Sequence, residues 1–507
     1  MIERFVLAVD QGTGGPKVGL VSTAGEVAWA RHFPVPTRRT PDGGAVQDAE
    51  AWWTLIRDAA REALAGGAVD VAAVSVTSQW GSVVPTDGDG RPVGDCLLWE
   101  DTRGRRHAQE LIGGPLLGYH PRRLAAWIRR TGGAPSPTGG DPISHMLHLQ
   151  REQPDVAAAA RWFLEPADYL TMRFSGRPVA SPASMIAAWL TDNRRPDRIE
   201  YAAELVALAG IDANRLAPLV PTATVVGNVR PDVARELGLA DGVPVVAGTA
   251  DLHAAAVGAG ALDDFAGHVA ISTTSWISCP VPSKKTDPLR SIASVPGLPP
   301  AGYVIADCQD SAGACLQWLR DHVLGGTYEE LVALAARATP GSGGVIFAPW
   351  LAGERSPMSD RRARGGWHNV SLGASRAELA RAVLEGVAYN ARWLLAGVER
   401  FIGRRMPSLR IIGGGAVADL WCQIFADVLD RRIERVEDPA LAPLRGAGLL
   451  GALGVGAVAR AAVAGLVPVD RVFTPEPAAR EAYARLAREL PRLYRGQKRT
   501  FARLNPA

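Results

Sequence analysis

The chain has 507 residues, with 55 lysines and arginines against 52 acidic residues and a formal charge of +3. So small a charge leaves no electrostatic footprint for nucleic acid or for an anionic membrane surface. The length exceeds what one hydrophobic core fills, so two domains of roughly 250 residues are expected.

In chain order, the first informative segment is Leu7-Ala-Val-Asp-Gln-Gly-Thr-Gly-Gly-Pro-Lys17, an apolar strand (Phe5–Val9) followed by an acid, a glycine-rich turn and a second strand (Lys17–Val21). Such a hairpin can wrap a phosphate chain, because glycines let backbone amides approach an anion. Gly12 and Thr13 lie in the turn. Thr13 can donate a hydroxyl hydrogen bond and Lys17 a point charge, while Pro16 removes one amide. Lysine occurs only at Lys17, Lys284, Lys285 and Lys498, so its presence here is informative. Asp10 suits a magnesium ion held through water, although an acid before glycine also forms ordinary turns. No basic and apolar leader precedes Phe5, so no signal peptide is expected.

A helix over Ala49–Ala65 and a strand over Val71–Val76 come next, then a Pro/Gly-rich loop over Thr131–Asp141. The strand Val243–Ala247 leads into Gly-Thr-Ala-Asp251 and an Ala-rich helix, Leu252–Ala259. Asp251 could be that helix's N-cap. It could also be a base that takes the proton of an alcohol during phosphoryl transfer, and a helix N-terminus favours its ionised form. A domain boundary is expected near Gly258–Asp264. Strands follow at His268–Ile271, Trp276–Cys279, Val345–Ala348 and Leu409–Ile412, with a surface excursion over Pro280–Pro300 and a helix over Arg376–Phe401.

The segment Val269-Ala-Ile-Ser-Thr-Thr-Ser-Trp echoes the first hairpin, as expected of duplicated halves facing one cleft. Gly446-Ala-Gly-Leu-Leu-Gly451 matches a dinucleotide fingerprint in form only, since no buried strand precedes it; close helix packing by small residues is expected instead. Gly446–Val469 reads as one buried helix, with Arg460 arguing against a membrane span. Five cysteines without paired spacing indicate neither a disulfide framework nor a zinc site, and fit a reducing cytoplasm.

These residues resemble the FGGY family of carbohydrate kinases, which includes xylulokinase and glycerol kinase, almost from end to end. Asp10-Gln-Gly-Thr13 is similar to the family's first phosphate hairpin, and Ala247-Gly-Thr-Ala-Asp251 to the segment carrying its base. Gly344 to Pro357, Arg364-Gly365 and Ala382 to Val387 resemble its long second-domain signature, the most specific match. The resemblance implies an α/β fold of two actin-like, ribonuclease-H-like domains, 1–257 on the substrate side and 258–507 on the nucleotide side, closing over ATP, Mg²⁺ and a sugar or polyol. It implies Asp251 as general base, Asp10 as the magnesium-side acid, and Thr13, Lys17, Thr274 and Ser275 as phosphate contacts. Gly313 and Gln317 would lie near the phosphates, and Gly415 and Asp419 near the adenosine. Family members are often dimers or tetramers, so a homodimer is a natural expectation.

Departures from the family bear on the acceptor. Gln79 matches, but Trp80 and Gly81 replace the Met-His of xylulokinases and the Arg-Glu of glycerol kinases. Trp99 and Asp101 keep the sugar-kinase pattern, with Asp101 either a hydroxyl ligand or a turn acid. His145 stands where many members have lysine, either a ligand or a satisfied structural histidine. Thr273 replaces a glycine of the second hairpin and would crowd the phosphates or shift the turn. The leading expectation is an ATP-dependent kinase acting on a ketopentose or related polyol; alternatives are a glycerol or tetritol kinase, or a sugar-binding regulator that turns over poorly.

Overall fold

A computed structural model describes residues 3–65, 69–116, 118–288, 290–298 and 302–506. Every strand expected above is present; all lie in two mixed sheets except Ile346–Ala348, which pairs with Gly366–His368 in a separate antiparallel ribbon.

The first sheet is built from β1 (Phe5–Gly12), β2 (Gly15–Ser22), β3 (Val27–His32), β4 (Val71–Ser78), β5 (Val225–Asn228), β6 (Pro244–Val246) and β7 (Thr249–Ala250), in the order β5-β6-β4-β1-β2-β3 with β7 beside β4. β1 runs antiparallel to β2 and parallel to β4. Helix α1 (Ala49–Leu64) covers this sheet because Trp52, Trp53, Ile56, Ala59 and Ala60 recur at helical spacing and are buried. Asp48 caps it by accepting from the Glu50 N–H.

After α2 (Asp251–Gly258), the second sheet repeats the plan with β8 (Gly267–Ile271), β9 (Ser275–Val281), β10 (Thr286–Asp287), β11 (Ile292–Pro296), β12 (Tyr303–Gln309), β13 (Ser408–Ile412), β14 (Arg432–Val436) and β15 (Val469–Phe473). Its order is β10-β11-β12-β9-β8-β13-β14-β15. The run β3-β2-β1-β4-β6 thus corresponds to β12-β9-β8-β13-β14, with the same sense of every pairing, so the weak sequence echo is a duplicated topology. This is the two-domain actin-like, ribonuclease-H-like architecture. Its second core surrounds α3 (Arg376–Ile402), which opens on a Ser375/Glu378 capping box.

Two expectations are corrected here. The excursion 280–300, of which residues 289 and 299–300 lie outside the described set, is a pair of edge strands rather than a free loop. Its polar groups grip the first domain: Lys284 Nζ donates to the Ile128 carbonyl (2.7 Å) and Thr286 Oγ1 to the Gly132 carbonyl (2.6 Å). The apolar stretch 446–469 is not one helix. Helix α4 (Ala442–Gly454) ends before Gly456, whose φ of 71° no ordinary helix residue adopts, and a 3₁₀ segment follows over Arg460–Leu466.

Helix α4 belongs to the second half of the sequence yet packs on the first sheet and along α2. Its glycines make this possible. A Cβ on Gly446 would lie 1.8 Å from the Ala254 carbonyl oxygen, and one on Gly258 1.7 Å from that of Ala442. The formal dinucleotide match is therefore a helix contact, as expected from its setting.

Candidate active site

The parallel register places three strand ends together. Gln11 pairs with Ser78 across β1 and β4, and Ala250 pairs with Ser78 across β7 and β4. The residues that follow these ends, Gly12, Gln79 and Asp251, are therefore neighbours at the carboxyl edge of the sheet, where open α/β sheets build ligand sites.

The β1–β2 turn closes with Gly12 opposite Gly15. Gly15 has φ of 120°, and a Cβ there would lie 2.0 Å from the Phe33 carbonyl oxygen, so only glycine fits. Asp10 is 4 % exposed, and Lys17 Nζ lies 3.3 Å from its Oδ2. Thr13 is more engaged than its sequence suggests. Its hydroxyl donates to Gln79 Oε1 (2.6 Å) and accepts from Trp99 Nε1 (3.0 Å), and Gln47 Nε2 donates to its carbonyl (2.8 Å). Its one hydroxyl proton is thus already used inside the protein, so the expected donation to phosphate does not fit this arrangement. Gln79 in turn keeps Nε2 without a partner among the described residues.

Asp251 is the first residue of α2, whose N-cap is Ala250, so the capping reading fails. The carboxylate is partly accessible and lies among Asp10, Lys17 and the Leu252 N–H. Burial first, then the charge of Asp10, pushes it up to about 7, against the pull of Leu252 and Lys17. The expected preference of a helix N-terminus for the ionised form is outweighed by desolvation and a like charge. The result is a carboxyl whose proton affinity matches neutral pH, as suits a general base.

Beside it lies an apolar cluster. Trp80 and Trp189 pack with Ile186, Ala250 and Leu252 from the first domain and Val295 and Val304 from the second. Trp189 holds φ of 52°, an unusual backbone conformation for a bulky residue. Glu165 fixes the adjoining turn by accepting from the Gly81 and Ser82 N–H groups.

Asp101 requires correction. Its side chain is 0 % exposed and filled by donors: Ala45 N–H (3.0 Å), Arg103 N–H (3.0 Å) and the Arg103 guanidinium at 2.7 to 3.1 Å. Burial raises its carboxyl, but these donors outweigh burial and hold it below the ordinary range. It braces the loop that carries Trp99 and has no oxygen left for a sugar. His145 is likewise structural: its Nε2 meets the Asp101 carbonyl (3.0 Å), and burial drives the imidazole down to about 4, so it stays neutral.

On the facing domain, the β8–β9 turn carries Thr273, Thr274 and Ser275. Thr273 is exposed at the tip and is not among the positive-φ residues, so the turn accommodates a side chain without strain. The Thr273 carbonyl accepts from the Ala312 and Ala314 N–H groups, bringing the start of the short helix Gly313–Leu319 against the turn. A Cβ on Gly313 would lie 2.5 Å from the Ser272 carbonyl oxygen, and one on Gly415, in the turn after β13, 2.4 Å from Ile271 Cγ2. Gln317 is exposed on the outer face of that helix. Asp419 is engaged by Arg435 (2.7 Å) and by Arg471, so its carboxylate is paired rather than free.

Two further groups were not singled out in the sequence. Asp307, on β12, is pushed up to about 7 by burial, with Ser356 and Arg355 pulling it down. Arg355, from Glu-Arg-Ser-Pro357, sits over the Trp99 ring, 5.7 Å from its centroid. An acid inside the apolar run Tyr303–Gln309 was the available signal for the first.

Magnesium keeps most of its water and takes few carboxylates. The site fits that pattern: Asp10 offers one carboxylate with a single lysine partner, and no group of three or more His, Cys, Asp or Glu among the described residues is arranged as a metal cage. Among those residues, no helix is long and apolar enough to cross a membrane.

The family model described as FGGY family of carbohydrate kinases, N-terminal domain, matches residues 5–258, and that of the C-terminal domain matches 278–459. A xylulose kinase of Staphylococcus epidermidis is 27 % identical over 512 residues, covering 99 % of each chain. A gluconokinase of Bacillus subtilis is 25 % identical over 442 residues, covering 85 % of this chain and 83 % of its own. The crystal structure of xylulose kinase from Rhodospirillum rubrum superposes with a TM-score of 0.83 at 27 % identity, over 98 % of this chain and 100 % of that one. With both family domains matched across most of its length, the chain belongs to the FGGY family of carbohydrate kinases.

Proposed function

We propose that the protein transfers the γ-phosphoryl group of ATP to a hydroxyl of a ketopentose, with xylulose the first candidate acceptor. The observation that carries this reading is Asp251, a partly accessible carboxyl at the sheet edge, poised near neutral pH beside Asp10 and Lys17. Ionised, Asp251 takes the proton of the acceptor hydroxyl as its oxygen attacks phosphorus and ADP leaves. Lys17 places positive charge beside the phosphate hairpin, and the glycine turn brings backbone amides to the phosphates. Asp10 would hold magnesium, which supplies neutralisation of the charge on the phosphates. The Trp80 wall binds the carbon face of the acceptor and, with the opposite domain, keeps water from the reacting oxygen.

The test is coupled ADP release with xylulose, ribulose, gluconate, glycerol and erythritol. Xylulose or another ketopentose should give the highest kcat/KM. A preference for gluconate or a short polyol would replace the proposed acceptor while leaving the kinase class intact.

A further inference from the structure

Arg355 has an unusual position between the domains. Its guanidinium comes from the nucleotide-side half, yet it lies over the ring of Trp99, which belongs to the acceptor-side half. It is fixed from behind by buried groups. One terminal nitrogen is 3.1 Å from Asp310 Oδ1. The Asp310 and Arg355 N–H groups both donate to Glu354 Oε1, at 2.7 and 2.9 Å, and Asn390 Nδ2 donates to Glu354 Oε2 at 3.0 Å. Trp350 Nε1 in turn donates to Asn390 Oδ1 at 3.1 Å. The Nε of Arg355 is shut off from solvent and has no hydrogen-bond partner among the described residues, and the guanidinium carbon lies over the aromatic ring.

At the edge of the ring, the Trp99 indole N–H is the donor to Thr13 at the tip of the phosphate hairpin, and Thr13 is the donor to Gln79. An unbroken set of contacts therefore leads from the rigid scaffold of the second domain, through one cation and one indole, to the turn that faces ATP.

We propose that Arg355 is a positioning residue for phosphoryl transfer: it clasps Trp99 when the domains close, and through the Trp99–Thr13 hydrogen bond sets the phosphate hairpin. When the domains separate, the arginine stays on its Glu354–Asp310 scaffold and the indole loses its cation; Gln79 and Gln47 still hold Thr13 within the first domain, but the Trp99 arm is fixed in place only in the closed state. Closure and the setting of the Trp99 arm become one event, which favours transfer to an acceptor over reaction with water.

The inference rests on the kinase reaction and not on the identity of the acceptor. Arg355→Met keeps much of the length and removes the cation. It should lower kcat by about 10- to 100-fold, the scale expected of a small misplacement of reacting groups. KM for ATP should stay within about threefold, and acceptor-free ATP hydrolysis should rise by about tenfold relative to transfer. Arg355→Lys, which restores a cation over the ring, should recover most of the loss. Trp99→Phe, which keeps a ring but removes the N–H, should resemble Arg355→Met, and the double variant should be no worse than Trp99→Phe alone. If Arg355→Met does not fold, Asp310→Asn, which frees the guanidinium from its scaffold, should give the same split between kcat and KM. Multiplying losses in the double variant, or unchanged kcat and hydrolysis ratio in Arg355→Met, would overturn the clasp. Failure of every ketopentose as acceptor would instead sink the proposed substrate, and acceptor-free hydrolysis would still report on Arg355.

Discussion

Replacing Asp251 with Asn should abolish most turnover and, at neutral pH, make the ligand-free protein more stable. The folded carboxyl is held at about 7 instead of 3.8, chiefly by burial and then by the charge of Asp10. The folded state therefore binds this proton more tightly than the unfolded chain does. The cost of ionising the group is absent below pH 3.8, grows as pH rises, and is complete above about 7. The full gap corresponds to on the order of 4 kcal/mol, and since the side chain keeps some access to water, about 2 kcal/mol is the expected effect. Asn carries no charge and escapes this cost. In a unit of about 250 residues, 2 kcal/mol moves Tm by about 4 to 8 °C. Scanning calorimetry of both proteins without nucleotide should show the variant melting higher at pH 8, by a larger margin than at pH 5, and the margin vanishing below pH 3.8. Turnover should fall by about 10²- to 10⁴-fold, the usual share of a general base. An equal or lower Tm with no pH trend would show that the carboxylate is not strained, and retained turnover would remove Asp251 from the base role.

The wild-type kcat/KM should fall about tenfold per pH unit below about 7 and level off above it, as the base form of Asp251 is lost on acidification; a flat profile between pH 5.5 and 8 would contradict this. Asp101→Asn breaks a buried pair with Arg103 and should cost about 3 kcal/mol in a thermal melt. KM for the acceptor should change less than about threefold in that variant, and a large rise in KM without loss of Tm would return Asp101 to the substrate. Gly446→Val forces a side chain against the Ala254 carbonyl and should cost about 3 kcal/mol, with a fall in kcat because α2 carries Asp251. A wild-type melting temperature would mean that the two helices separate freely.

The strands were legible because each is a short apolar run bounded by glycine or polar residues, and the hairpin at Gly12 to Gly15 announced itself through its glycines. Asp251 was findable as a lone acid where a strand stops, but its proton affinity was not, since that depends first on its burial in the folded chain and then on Asp10 approaching from another strand. Asp101 and Thr13 illustrate the same gap. Their residue types suit a ligand site, yet their capacity is consumed by Arg103, Ala45, Trp99 and Gln79, partners up to 86 residues away in the chain. Nothing in the local sequence of Asp419 reveals its partners Arg435 and Arg471, which come from later strands. Arg355 lay inside a quoted signature but acquires its place only when the second domain meets Trp99.

Helix α4 also bears on how the chain can be made. It seals Val6, Ala73 and Val246 of the first sheet with Ala452, and Ala8 and Val21 with Leu444 and Ala447. During synthesis the amino-terminal half therefore emerges with one apolar face of its sheet bare, and that face stays open until some 200 further residues have left the ribosome. A fragment cut at the boundary between the halves would carry the same uncovered face, so separate expression should yield aggregates where co-expression of both pieces restores a soluble pair.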